Sequence, residues 1–345
     1  MRISQSGRHP SGHSSSPQNA NAPNGYNLRV AQKTINSVAA QLRANIQTVI
    51  IGKDDVIDLA MVALLCEGHV LIEDVPGIGK TTLAKAIARS LNCSFKRIQF
   101  TPDLLPSDVT GISYFNQKAQ AFEFRAGPIF SQVVLADEIN RATPRTQSAL
   151  LEAMQERQVT VDGQTMALAR PFLVLATQNP IELEGTFPLP EAQVDRFLLR
   201  ISLGYPNEEE EHRILSRFER SDPFDKLASV VEVEDLVAMQ AQCRTVRVER
   251  SVADYIVALC RATRGATGAQ IGVSPRGTLA LYHAAQAFAA IRGRDYVLPD
   301  DVKTLAPYAL AHRIVIDGQS RLRGRKAEDI LRDVLERTPV PVDTV

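Results

Sequence analysis

The sequence predicts an α/β fold in which a parallel β-sheet with helical crossovers is followed by a helical domain. Short apolar runs alternate with segments of helical periodicity from Ile35 to Leu203, as strands and crossover helices do. One apolar run leads directly into a glycine-rich turn and then a helix. Beyond Gly204 the periodicity is helical almost throughout, apart from a strand-like run that predicts a short hairpin near 314–316.

Composition limits the classes of protein that this chain can represent. Its 345 residues predict two domains with an ample core. Basic and acidic residues are equal at 39 each, so no basic excess indicates a nucleic-acid partner. No apolar run approaches the roughly 20 residues that a membrane span requires, and the N-terminal stretch lacks the apolar core of a signal peptide. Scattered cysteines without a C-x-x-C pair predict apolar core thiols in a reducing, cytoplasmic compartment.

The predicted elements follow one another in a definite order. Residues 1–26 are rich in Ser, Gly, Pro, Asn and Gln, and they are predicted to be a disordered tail. The strands of the sheet are predicted near 70–74, 96–100, 132–137, 171–177 and 197–201. A hinge at 204–206 then precedes a helix that Asn207 caps, with glutamates in its first turn. The later helices are predicted at 207–219, 234–242, 250–265, 275–291, 300–311 and 326–336.

The first candidate site is the glycine-rich turn after the strand at 70–74. It consists of Pro76, Gly77, Ile78, Gly79, Lys80, Thr81 and Thr82. Such a turn directs backbone N–H groups at one place, where the helix dipole also favours a phosphate. Lys80 can reach the β and γ phosphates of a nucleotide, and the Thr81 hydroxyl can ligate Mg²⁺. The strict pattern begins with glycine, whereas this chain has Asp74, which tolerates unusual turn conformations; the alternative is a chance glycine-rich turn.

Polar residues end two later strands of the predicted sheet. The apolar run 133–136 is followed by Asp137 and Glu138. Because α/β sheets bind ligands at the carboxyl ends of their strands, Asp137 is predicted to hold Mg²⁺ and Glu138 to act as general base toward water. The alternative is a solvated strand end or the N-cap of a helix. The run 172–177 leads to Asn179, whose amide can orient the water or touch the γ-phosphate; otherwise Asn179-Pro180 is only a turn.

Two hairpin patterns interrupt the α/β region. The first runs over 111–125, and the second runs over 158–166 around an Asp-Gly pair that suits a two-residue loop. The first hairpin carries the aromatic residues Tyr114, Phe115, Phe122 and Phe124. These side chains either grip a partner or close the small core of their own hairpin, and the sequence leaves both interpretations open.

Further segments complete the pattern: 97–111, 127–130, 135–142, 147–154, 176–180, 189–197 and 274–277. Through them the chain resembles the AAA+ ATPases, and within that superfamily it is similar to the MoxR family, from about Ile35 to about Arg313. The resemblance implies a P-loop NTPase (AAA+) parallel-sheet core over 27–204 and a C-terminal helical lid domain over 205–345, with ATP in the cleft between them. The two hairpins correspond to inserts shared with magnesium chelatase subunits, and both would project toward a central pore. Proteins resembling this family tolerate aspartate in place of the first glycine.

The resemblance also implies roles for individual residues. The Walker A pair is Lys80 and Thr81, the Walker B pair is Asp137 and Glu138, sensor 1 is Asn179, and the adenine pocket begins with Ile51 and Gly52. Arg196 corresponds to the arginine finger, which reaches the γ-phosphate held by a neighbouring subunit; the alternative is an Asp195–Arg196 surface pair.

Arg276 corresponds to sensor 2. Ser274 is a good N-cap and Pro275 a good first helical residue, so Arg276 is predicted in the first turn of a helix. The helix dipole disfavours a cation at that position. A phosphate ligand therefore explains this arginine better than helix stability does.

The function implied by the resemblance is that of a hexameric ring of identical subunits that hydrolyses ATP with Mg²⁺ and remodels or matures a client protein. MoxR-like proteins are thought to act as chaperones, some in metal-cofactor insertion, often beside a partner with a von Willebrand factor A domain. One alternative is the motor subunit of a metal chelatase. A DNA-binding regulator is disfavoured by the balanced charge. A scaffold that only senses nucleotide is disfavoured by Glu138, Asn179 and Arg196.

Overall fold

The computed structural model describes residues 34–180, 185–219 and 222–341, so the tail predicted for residues 1–26 lies outside the described residues. The strands are β1 Val70–Glu73, β2 Phe95–Gln99, β3 Gly111–Asn116, β4 Ala121–Ala126, β5 Val133–Asp137, β6 Gln158–Val161, β7 Gln164–Ala167, β8 Leu173–Gln178, β9 Leu199–Ile201, β10 Ala269–Ile271 and β11 Val315–Ile316. The helices are α1 Ile35–Gln47, α2 Asp54–Leu65, α3 Lys80–Ser90, α4 Pro106–Thr110, α5 Pro144–Glu156, α6 Glu191–Val194, α7 Glu208–Phe218, α8 Val233–Cys243, α9 Arg250–Arg264, α10 Pro275–Ile291, α11 Pro299–Leu310, α12 Gly318–Leu322 and α13 Ala327–Arg337. Within the described ranges, no helix has the length and apolar character needed to cross a membrane.

A parallel sheet of five strands lies at the centre of the molecule, in the order β2-β5-β8-β1-β9. Its central strands are continuous apolar runs and are buried nearly throughout, as parallel strands covered on both faces must be. Each strand lies within two residues of its predicted position. The predicted α/β class is confirmed.

The two faces of the sheet bury different partners. Successive side chains of a strand point to opposite faces, so Val70 and Ile72 join one core while Leu71 joins the other. The core of Val70 is shared with α1, α2, α3 and the helical domain, including Leu281 of α10 and Leu305 of α11. The core of Leu71 is shared with α5. The helical domain therefore packs on the face of the sheet that α3 covers.

The helical domain agrees with its predicted elements, with one correction. Its long helices begin and end within one residue of the predicted bounds, and Asn207 and Glu210 exchange the hydrogen bonds of a capping box at 2.9 Å each. The prediction of a local hairpin near 314–316 is wrong. Strand β11 instead pairs antiparallel with β10, far earlier in the chain. A local sequence pattern can show that a segment is extended, but it does not show with which distant strand the segment pairs.

Both predicted hairpins are present, as β3–β4 and β6–β7. In the first hairpin, Phe124 packs edge-on against Phe130 with ring centroids 5.6 Å apart, so this ring closes a core. Phe115 and Phe122 contact each other at 5.4 Å but are 46% and 75% exposed. Phe124 therefore fits the interpretation of a core within the hairpin, whereas Phe115 and Phe122 remain on the surface and are free to contact a partner.

Parallel pairing determines which loops share an edge of the sheet. The carboxyl edge, where the strands end, carries the residues that follow β1, β5 and β8. The amino edge, where the strands begin, carries residues 195–198, which lead into β9. Val70 pairs with Leu199 and Ile72 with Ile201, so the two edges are separated by the length of β1, about 10 Å.

Candidate active site

The turn after β1 has the backbone of a phosphate cradle. Gly77 and Gly79 have φ of +86° and +94°, a left-handed conformation that side chains with a Cβ rarely adopt. No atom lies within 4 Å of the place where a Cβ would stand at either glycine, so the space in front of the turn is open. Helix α3 then begins at Lys80 and presents its unpaired N–H groups to that space. The backbone therefore fits an anionic phosphate chain.

Lys80 lies among acidic groups at the carboxyl edge. Its Nζ donates to the carbonyl oxygen of Asp74 at 2.8 Å. Partial burial lowers the pKa of the Lys80 ammonium, and the nearby carboxylates of Asp137, Asp74 and Glu138 oppose that shift. Lys80, which follows the glycine turn, and the carboxylates at the end of β5 therefore attract each other. Such neighbouring opposite charges suit a site that holds both a phosphate chain and a metal ion.

Asp74 has a different reason to stand where the strict pattern has glycine. Its tolerance of unusual turn conformations is not needed, because its φ is not among the positive values of the described chain. Its carboxylate accepts hydrogen bonds from the Ser202 hydroxyl at 2.8 Å, the Gly204 N–H at 2.7 Å and the Val75 N–H at 2.9 Å. Burial raises the pKa of Asp74, but these hydrogen bonds outweigh it and leave the pKa below its usual value. Asp74 thus ties the turn to the hinge.

The carboxylate of Asp137 is buried at the end of β5 and is engaged on both oxygens. Oδ1 accepts from the Thr177 hydroxyl at 2.6 Å, and Oδ2 accepts from Arg97 Nη2 at 2.6 Å and Nε at 3.0 Å. A carboxylate has about four acceptor positions, so further lone pairs remain for a metal ion. Sequence patterns did not indicate Thr177 or Arg97, because their contacts join neighbouring strands of the sheet.

Glu138 has an unusual backbone and an anchored carboxylate. Its φ of 58° is left-handed, which is uncommon for glutamate and turns its side chain away from the line of β5. Gln99, at the end of the neighbouring strand β2, donates to Oε2 at 2.8 Å, and Arg141 Nη1 lies 3.3 Å from the same oxygen. The orientation of Glu138 is therefore set by residues that local sequence patterns did not indicate.

Asn179 follows β8, the strand between β5 and β1. Gln178 pairs with Glu73 at the last position of β1, and Ala176 pairs with Ala136. This register puts the half-buried Asn179 between the glycine turn and the acidic pair. The predicted residues of the carboxyl edge are thus brought together by the sheet.

An apolar pocket of about 390 Å³ opens beside the glycine turn. Its lining combines residues before α2, the turn, the hinge and α7: Ile50, Ile51, Gly77, Ile78, Gly79, Thr82, Leu203, Tyr205, Ile214 and Phe218. Ile51 was predicted, whereas the hinge and α7 residues were not. Gly52, also predicted, has φ of +70°, and a Cβ there would lie 1.6 Å from Glu210 Oε1. A larger residue there would have to displace the Glu210 carboxylate and adopt a strained backbone conformation.

The predicted arginines lie elsewhere, at the amino edge. Arg196 is half-buried, and its Nη1 donates to the Leu151 carbonyl at 2.8 Å, while its Nε has no partner among the described residues. Arg276 Nη1 lies 3.8 Å from Asp195 Oδ2, and Ser274 caps its helix as predicted. The pocket beside the turn is lined by core residues on one side and by the hinge and α7 on the other, where the cleft between core and lid was predicted; that ATP binds there stays a prediction. The other long helices cover the face of the sheet instead.

These features define an ATP hydrolase of the AAA class: a five-stranded parallel sheet, a phosphate-binding turn after β1, and an acidic pair after β5. The family described as "ATPase family associated with various cellular activities (AAA)" matches residues 69–199, and the AAA lid domain matches residues 261–334.

Within that class, the chain belongs to the MoxR family. It is 40% identical over 343 residues to Chaperone MoxR1 of Mycobacterium tuberculosis, covering 96% of this chain and 89% of the relative. It is 51% identical over 311 residues to the uncharacterized protein YeaC of Bacillus subtilis, covering 90% and 97% respectively. The crystal structure of a proposed ATPase from Cytophaga hutchinsonii matches with a TM-score of 0.85 at 37% identity, covering 92% of this chain and 100% of that one.

Proposed function

We propose that this ATPase binds MgATP at the carboxyl edge and uses its hydrolysis to remodel partner proteins. The observation that carries the proposal is the sheet order β5-β8-β1, which sets the end of β5, with Asp137 and Glu138, near the glycine turn and Lys80. Lys80 and the N–H groups of the turn would hold the phosphates, and the apolar pocket around Tyr205 would take the adenine. Thr81 and Asp137 would hold Mg²⁺, which neutralises phosphate charge when it is bound.

Glu138 is the proposed general base. Its carboxylate takes a proton from the water that attacks the γ-phosphate. Gln99 donates to Oε2 and limits the directions in which Glu138 points, leaving Oε1 for the water. Asn179, at the tip of the neighbouring strand, is proposed to orient the same water through its amide.

Arg196 and Arg276 are proposed to act on the nucleotide of a neighbouring copy. Both lie at the amino edge, about 10 Å of sheet away from the edge that carries the glycine turn. A head-to-tail contact would set the amino edge of one copy against the carboxyl edge of the next, and its repetition closes a ring. We propose that the ring is a hexamer.

Mixed assemblies of two inactive variants test the shared site. Arg196→Ala chains keep the phosphate site, and Lys80→Ala chains keep the arginine. If Arg196 acts across the interface, some junctions in a mixed ring join an intact site to an intact arginine, and phosphate release returns. A mixture that stays inactive, with mixed rings demonstrated by differently tagged chains, contradicts action across the interface.

The substrate of the remodelling is proposed to be a client protein, with a von Willebrand factor A domain protein as accompanying partner. A relative 40% identical to this chain is named a chaperone, and the exposed Phe115 and Phe122 offer an apolar client contact. Glu138→Gln should retain a client when ATP is present, whereas Lys80→Ala should not. Equal retention by the two variants, or retention that ignores ATP, contradicts an ATP-driven remodeller.

A further inference from the structure

Arg313 belongs to the helical domain, yet its guanidinium reaches the segment that carries Arg196. The Arg313 side chain is only 2% exposed. Its Nε donates to Asp195 Oδ1 at 2.8 Å, and its Nη2 donates to the Phe197 carbonyl at 2.6 Å and to the Asp195 carbonyl at 3.2 Å. Its Nη1 donates to the Leu198 carbonyl at 3.3 Å. These acceptors lie on both sides of Arg196 in the chain.

The first turn of α10 holds the same carboxylate. The Ser274 hydroxyl lies 3.1 Å and 3.3 Å from the two oxygens of Asp195, and Arg276 Nη1 lies 3.8 Å from Oδ2. Gly277 makes room for the contact, because a Cβ there would lie 2.7 Å from Arg313 Cδ and 2.5 Å from Val273 Cγ1. The helical domain thus grips Asp195 through two separate elements, the start of α10 and the turn after α11.

Arg196 itself has few contacts that would fix its direction. Its Nη1 donates to the Leu151 carbonyl, and its Nε finds no partner among the described residues. In contrast, the buried Arg313 is paired with the half-buried Asp195, so separating them leaves the guanidinium charge unpaired in the interior. The backbone around Arg196 is therefore held by the helical domain rather than by Arg196.

We propose that Arg313 and Asp195 are positioning residues for Arg196, so that the helical domain of each copy sets where that copy presents its arginine to its neighbour. The proposal rests on the proposed action of Arg196 across the interface. Neither Arg313 nor Asp195 lies at the carboxyl edge, so the pair leaves the binding of ATP in its own copy to other residues. A shift of the helical domain in one copy then reaches the phosphate site of the next.

The test uses mixed rings of two kinds of chain, each of which carries one inactivating substitution. Full-length acceptor chains carry Arg196→Ala and supply the phosphate site, and full-length donor chains carry Lys80→Ala and supply the arginine. Phosphate release by this mixture is measured first over a titration with MgATP. An inactive mixture, with mixed rings demonstrated, refutes the action of Arg196 across the interface and with it both proposals.

Asp195→Asn is then added to the donor chain or, in a separate mixture, to the acceptor chain. The substitution should lower kcat about tenfold more in the donor than in the acceptor, with the same KM for ATP in both mixtures. A role in holding the fold together would act in whichever chain carries the change. Equal losses, or a larger loss on the acceptor side, overturn the positioning role.

Gly277→Ala gives the same test without removing a charge. Its new methyl group would stand 2.5 Å from Val273 Cγ1 and 2.7 Å from Arg313 Cδ, so it should displace the stem of Arg313 together with Val273. Gly318→Ala, with no atom within 4 Å of its Cβ position, serves as the control. We expect a donor-side loss in kcat of about threefold for Gly277→Ala and none for Gly318→Ala. This pair decides the matter if Asp195→Asn donors do not enter mixed rings. Two glycine variants that behave alike as donors contradict the proposal.

Discussion

The two edges of the sheet place their functional residues by different means. At the carboxyl edge, Glu138 directly follows β5 and Lys80 begins the helix after the glycine turn, so the sheet and this turn place both residues. At the amino edge, the segment of Arg196 is held by the side chain of Arg313, which comes from another part of the fold. The proposed phosphate site is thus built by the sheet and the turn after β1, whereas delivery of the arginine depends on how the helical domain is packed.

The largest expected effects come from removing one cation at each edge. Lys80→Ala should abolish MgATP binding at micromolar nucleotide, because the phosphates lose their direct counter-charge. Arg196→Ala should bind MgATP with an affinity within about threefold of the parent and lose about a thousandfold in turnover. Calorimetric titration and phosphate release measure the two properties. If Arg196→Ala loses binding as Lys80→Ala does, the two edges are not separate in function.

A second prediction separates binding from chemistry within the carboxyl edge. Glu138→Gln keeps the size of the side chain but removes the base, so turnover should fall by about a hundredfold while the affinity for ATP stays unchanged. Stopped-flow phosphate release and nucleotide titration test this. Turnover near the parental rate would exclude Glu138 as the base.

Gly52 offers a sharper probe of the nucleotide pocket. Gly52→Ala should raise KM for ATP about tenfold, because its methyl group must displace the Glu210 carboxylate and disturb α7, which lines the pocket. Gly163→Ala is the matched control, since Gly163 also has a left-handed φ, of +78°, but no atom within 4 Å of its Cβ position. The control should lose about 1 kcal/mol of stability and keep its KM. Equal KM values for the two variants would remove Gly52 from the pocket.

A substitution at Asp74 tests whether the strict sequence pattern or the contacts of this fold better predict stability and ATP binding. Asp74→Gly restores the first glycine of the strict pattern, yet it should lower the free energy of unfolding by about 2 kcal/mol and weaken ATP binding by about fivefold. The reason is the loss of its hydrogen bonds from Ser202 and Gly204. Asp74→Asn, which keeps the shape and an acceptor oxygen, should lose less. Tighter ATP binding by Asp74→Gly would refute the proposed tie between turn and hinge.

The smallest effect concerns pH and the amino edge. Burial lowers the pKa of His69 to about 4, and burial also holds the pKa of His312 well below its usual value. Both histidines contact the residues that lead into β9. The folded protein thus keeps both histidines neutral, while the unfolded chain takes up protons below about pH 6.5. The contribution of these histidines to the free energy of unfolding is therefore fully present above that pH. His69 alone should lower the free energy of unfolding by about 1 kcal/mol between pH 7.5 and pH 5.5. Urea unfolding across this range measures the change, and a flat profile would contradict it.

How much of the site could be predicted from the sequence also differs between the two edges of the sheet. The glycine turn, the acidic pair and Asn179 each follow a strand with a clear apolar pattern, and parallel strands bring such ends together. The same logic gave the strands and helices of the core and of the helical domain to within about two residues. Their roles in catalysis stay predictions.

What the sequence did not indicate depends on contacts between distant segments. Thr177 and Gln99 contact the acidic pair only because β8 and β2 flank β5, which is a matter of strand order. Arg313 has no local signal, since a basic residue after a helix is ordinarily explained by the helix dipole. The sequence also did not indicate that the hinge and α7 line the pocket, because the packing of the helical domain on the sheet is a tertiary property.

The most direct test of the central claim is an experimental structure of Glu138→Gln assembled with MgATP, for example by electron cryo-microscopy. The claim is that one copy's carboxyl edge and the next copy's amino edge form a single site. The account predicts a closed ring in which Arg196 contacts the γ-phosphate bound by the neighbouring copy, while Arg313 still pairs with Asp195. A ring in which Arg196 contacts the nucleotide of its own copy, or an active protein without any interface between copies, would contradict it.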